Sequence, residues 1–226
     1  MLALELTQHQ FGYALAPLPK SAAGSVGLLV LMAFALEGIW RLARHISVIA
    51  HEGAHAVAGF SMGRRGIGVR LNRNATGETA TRGPVRGLGR IVTAFAGYLG
   101  PSVFGLSAAV LIAQDHIVAV LWLAVVFLAI MLLLVRNFFG VISVALNGGL
   151  IFLVLHYGST ELQTFAAYAL SWFMLLSGVR FALTLPSNAG DADTLRGLTR
   201  VPGFVWAALW LVITVTALWV GGHLLI

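Results

Sequence analysis

Two histidines and a glutamate stand together in His51-Glu52-Gly53-Ala54-His55, at a spacing that can do chemistry. On a helix, positions i and i+4 share one face a turn apart, so His51 and His55 can grip one metal ion between them. Glu52 is offset around the helix, near enough to take a proton from water activated by that metal without being a ligand. Zinc brings the pKa of such water towards about 7, so the pattern reads as metal-assisted hydrolysis with Glu52 as general base and then proton shuttle. Gly53 and Ala54 are small, which suits close packing of a neighbouring helix or of a substrate strand. The chain has no cysteine, so a zinc site here must draw on His, Asp or Glu.

A catalytic zinc ordinarily has three protein ligands and an open position for water. Four further residues are candidates for the third: Glu37, His156, Asp191 and Asp193. Choosing among them requires the elements that carry them.

Those elements belong to a bilayer protein. Of 226 residues 59% are hydrophobic and 10% charged, with a mean hydropathy of +0.91. Soluble domains carry about 25% charged residues. Apolar stretches of roughly 20 residues, enough to cross a hydrocarbon core, recur from Ser25 onward. The pattern predicts an all-α polytopic bundle of six or seven membrane helices, at about 25–44, 45–62, 91–113, 117–135, 138–156, 162–184 and 203–222. The whole chain, 1–226, reads as one membrane-embedded domain, with 1–24 a surface segment and no cleavable signal peptide. The stretch 63–90 breaks the pattern. Within it 69–73 and 78–82 flank Asn74-Ala75-Thr76-Gly77, which predicts a small β-hairpin. The six tryptophans read mostly as interface anchors near span ends, and Ala94, Ala96, Gly97 and Gly100 as a close helix contact.

Charge gives an orientation. Thirteen of the fourteen basic residues are arginine, seven of them in 63–90. Basic connections stay in the cytoplasm, so 63–90 should lie there, with Arg136 and the 185–201 loop on the same side. The net charge of +6 is therefore a topology signal and implies no nucleic acid. His156 then falls at the outer face, and Glu37 lies about four turns upstream of the motif. An aspartate of Gly190-Asp191-Ala192-Asp193-Thr194-Leu195 is left as the third ligand, either Asp191 or Asp193. Ionisable groups in an apolar span are costly and mark function.

Several segments together resemble the M50, or site-2-protease-like, peptidases, and more narrowly their M50B-like bacterial branch. These are HEGAHAVAGFSMGRR, then Gly77-Glu78-Thr79, then Ala96-Gly97-Tyr98-Leu99-Gly100-Pro101, then Asp191-Ala192-Asp193-Thr194-Leu195 with Thr199-Arg200-Val201-Pro202 and Trp206. The resemblance covers roughly 45–220. It implies zinc-dependent proteolysis within the membrane, with a membrane-anchored protein as substrate and the lipid bilayer as surroundings. It also implies an aspartate as third ligand, which the motif places at Asp191, with Asp193 as fallback.

Two other uses of the same residues would leave different traces. A transporter or metal carrier would need Gly/Pro-broken segments paired between two halves of the chain, and no such pairing is found. A catalytically silent scaffold would have no need of Glu52.

Overall fold

A computed structural model describes residues 16–185 and 190–226. It is a helical bundle with one small sheet. Helices α1 (Lys20–Ala35) and α2 (Glu37–Ser61) lead into strands β1 (Arg65–Leu71) and β2 (Gly77–Arg82). Then come α3 (Leu88–Ala96), a 3-10 turn at Gly97–Leu99 and α4 (Gly100–Ala113). The chain continues through α5 (Ile117–Leu134), α6 (Phe138–Tyr157), α7 (Thr160–Thr184), α8 (Gly190–Thr199) and α9 (Gly203–Leu225). Among the described residues, α3 with α4, then α5, α6, α7 and α9 are each long and apolar enough to cross a membrane. The bent α1–α2 pair, a broken span or a re-entrant loop, brings the candidates to as many as six. The protein is a multi-pass membrane protein.

The boundary between the first two helices is corrected. The sequence placed it at Arg44/His45, but α2 runs straight through those residues and the break is at Leu36, where the two axes turn by 109°. Arg180 of α7 explains the position. It donates from Nη1 to the Phe34 carbonyl over 2.5 Å, so the end of α1 has a partner for one of its open carbonyls. Its other nitrogen reaches Glu37 Oε2 at 3.2 Å, and its guanidinium lies 4.2 Å from the Trp40 ring centre. Glu37 opens α2, where a negative charge suits the helix dipole.

Helix α1 begins at Lys20, inside the 1–24 stretch, and residues 1–15 lie outside the described residues. The 185–201 connection contains a helix, α8. One smaller expectation changes. Three tryptophans are interior rather than interfacial. Trp40, Trp172 and Trp210 are buried, and the last two donate to the carbonyls of Ala23 and Phe95. A buried tryptophan N–H usually finds such a partner.

Small residues set the helix packing. A β-carbon on Gly105 of α4 would lie 2.8 Å from the Leu175 nitrogen of α7, and Ser171 Oγ donates to the Gly105 carbonyl over 2.9 Å. Such close approach suits helix association in lipid, where apolar burial gives no net drive.

The hairpin forms nearly where expected, with β1 two to four residues earlier. Register pairs Val69 with Thr79 and Leu71 with Gly77. Val69 and Leu71 are buried against Val48, Ile49, Met131 and Val135. The α5–α6 link covers the outer edge of β1: the Arg136 amide donates to Val69 O, and the Asn137 side chain both accepts from and donates to the Leu71 backbone. β1 is thus flanked on both sides, which leaves β2 as the edge strand.

Candidate metal centre

Helix α2 brings His51 and His55 onto one face, and α8 brings Asp191 to meet them. His51 Nε2 and His55 Nε2 are 3.1 Å apart, and Asp191 Oδ2 lies 3.2 Å and 3.1 Å from them. A tetrahedral zinc with nitrogen and oxygen ligands at roughly 2.0–2.1 Å has ligand atoms about 3.3 Å from one another. The three donor atoms therefore stand near the corners of such a site, and the donor set of two imidazoles and a carboxylate can hold a metal ion.

The surroundings aim these side chains. His55 Nδ1 lies 2.6 Å from the Thr93 carbonyl of α3, a bond that puts the proton on Nδ1 and leaves Nε2 free to ligate. His51 is oriented by rings instead, with Tyr98 edge-on at 4.8 Å and Phe181 at 6.2 Å. Gly97, in the 3-10 turn, makes room: a β-carbon there would collide with both imidazoles. Gly100 does the same one turn on, lying against the Ala50 carbonyl and Ala54. The AGYLGP stretch is thus the surface on which the histidine helix lies.

Asp191 and Asp193 both fall in the first turn of α8, and they part company there. Asp193 turns outward to Arg196 at 2.7 Å. Asp191 turns inward, with its Oδ2 facing both imidazole Nε2 atoms. The other two candidates are elsewhere: Glu37 pairs with Arg180 at the helix break, and His156 stacks on Phe152. Residues 186–189, which lead into α8, lie outside the described residues.

Glu52 is 3% exposed and lines the same cavity as His51, His55 and Asp191, a space of about 510 Å³ between α2, β2, α3, α7 and α8. Gly77, Glu78 and Thr79 of β2 form one wall, and Arg90 and Thr93 of α3 another. Sequence reasoning assigned Thr93 no role, and Tyr98 none beyond its place in Ala96-Gly97-Tyr98-Leu99-Gly100-Pro101. No spacing rule signals a carbonyl or ring supplied by a distant helix.

Among curated proteins and solved structures there is no match. The family model described as Peptidase M50B-like matches residues 25–221, a span that runs from α1 to α9 and takes in the HEGAH helix, the hairpin, the AGYLGP turn and Asp191. With that match over most of its length, the chain belongs to the M50B-like peptidase family.

Proposed function

We propose that the protein is a zinc endopeptidase that cleaves membrane-anchored proteins within the bilayer. The observation that carries this is the meeting of His51, His55 and Asp191 within 3.2 Å, in one cavity with Glu52, in a chain of a peptidase family. His51, His55 and Asp191 hold the ion. Zinc, when bound, supplies a Lewis acid that polarises the scissile carbonyl and acidifies water. Glu52 takes the proton of the attacking water and delivers it to the leaving amine nitrogen.

A helical substrate shields its amides in its own hydrogen bonds, so it must unwind to be cut. The free edge of β2 runs along the cavity, and an unwound segment adds to it as a further strand through main-chain hydrogen bonds. The other edge of the sheet, along β1, is already taken by the α5–α6 link, so the β2 edge is the one that supports the reading.

The test is Glu52→Gln. It should keep its zinc, measured by elemental analysis of the purified protein, and lose cleavage of a co-expressed membrane-anchored substrate by on the order of a hundredfold or more. Cleavage at the wild-type rate would sink the role of Glu52.

A further inference from the structure

The face of β2 turned towards α2 carries Gly77, Thr79 and Thr81, with Glu78, Ala80 and Arg82 on the exposed side. Two of the inward residues grip Glu52. Thr79 Oγ1 donates to Glu52 Oε2 over 2.6 Å and sits 3.1 Å from the Glu52 carbonyl oxygen. At Gly77 a β-carbon would stand 2.5 Å from both Glu52 Cγ and Oε1 and 2.7 Å from Cδ. The carboxylate is thus held between a hydroxyl on one strand residue and bare backbone two residues before it.

A buried carboxylate needs donors, and the terminal torsion of a glutamate is otherwise broad. We propose that Thr79 is a positioning residue for the general base: its hydroxyl anchors one oxygen of Glu52 and leaves the other to take the proton from water and pass it to the leaving amine. Gly77 is the clearance that lets the carboxylate lie there. This rests on the reading of Glu52 as base. It also couples the base to the strand on which the substrate is expected to lie, since Thr79 belongs to the edge strand itself.

A threonine in a strand is also simply a good strand former, a role that valine fills equally well. The experiment separates the two. Thr79→Val, Thr79→Ser and Gly77→Ala are purified beside wild type and Glu52→Gln, with zinc content and cleavage kinetics measured for each. Thr79→Val should retain zinc and lose on the order of tenfold in kcat with little change in KM, and Thr79→Ser should recover most of the loss. Gly77→Ala should lower kcat with zinc retained. A second readout needs no turnover. The infrared difference between wild type and Glu52→Gln isolates the Glu52 carboxylate band, which Thr79→Val should shift and Thr79→Ser should leave in place. Wild-type kcat in Thr79→Val, or a serine variant as slow as the valine one, overturns the proposal. So does an unmoved carboxylate band, which decides the matter even if Thr79→Val loses activity through poor folding. If Glu52→Gln itself cleaves, the reading of the base has failed, and this inference falls with it.

Discussion

Gly97 lies so close to His55 that no β-carbon fits between its backbone and the imidazole Nε2. The glycine is in a 3-10 turn that separates α3 from α4, and its backbone φ needs no special residue. Space alone accounts for it. Gly97→Ala should push His55 and His51 off their common point, so zinc content should fall well below one per chain. Gly197→Ala serves as control, because a β-carbon at Gly197 of α8 would meet nothing within 4 Å. Equal zinc in both variants would show that the imidazoles tolerate displacement.

Asp191 and Asp193 give a matched pair of tests. Two residues apart on a helix, they point about 200° away from one another. Asp191 faces the histidines and Asp193 faces Arg196. Asp191→Ala should lose zinc and activity together. Asp193→Ala breaks a half-exposed i,i+3 pair and should cost at most about 0.5 kcal/mol of stability, with zinc intact. Metal lost from the second variant and kept in the first would reverse the assignment.

What the sequence revealed, it revealed through local rules. His51 and His55 are a helical i,i+4 pair, and the spans announce themselves by length and hydropathy. The hairpin follows from Asn74-Ala75-Thr76-Gly77 between polar strand formers. Where the site depends on contacts between distant segments, local rules are silent. Thr93 contributes a carbonyl, a group every residue has. Gly97 could be read as a helix-packing glycine but not as the neighbour of a particular imidazole. Leu36 is neither Pro nor Gly, and the break there depends on an arginine of another helix.

By the positive-inside rule, the seven arginines of 63–90 predict a hairpin on the cytoplasmic side, and accessibility tests this. The chain has no cysteine, so a single introduced thiol reports alone. Ala80, on the exposed face of β2, is a suitable site. In intact cells Ala80→Cys should stay unlabelled by a membrane-impermeant thiol reagent and react fully after lysis. Labelling before lysis would invert the orientation.

The Arg180 contacts at Leu36 predict an ordering of three variants. Arg180 bonds the Phe34 carbonyl, lies on the Trp40 ring and pairs with Glu37, whose side chain is 64% exposed. The exposed ion pair should contribute little, since solvent screens it. The carbonyl bond and the stacked guanidinium should carry the effect, about 1–3 kcal/mol together. Glu37→Gln should therefore melt close to wild type in detergent, and Arg180→Gln several degrees lower. Arg180→Lys is the deciding variant. It keeps the charge near Glu37 but loses the planar group that covers Trp40 and the second nitrogen that reaches Phe34 while the first holds Glu37. Its melting temperature should fall nearer to Arg180→Gln than to wild type. Trp40 in turn meets Phe181 edge-on, and Phe181 meets His51, so the helix break and the metal centre share one aromatic contact chain. A lysine variant as stable as wild type would mean that charge at the break, and not the shape of the guanidinium, holds α1 and α2 at their angle.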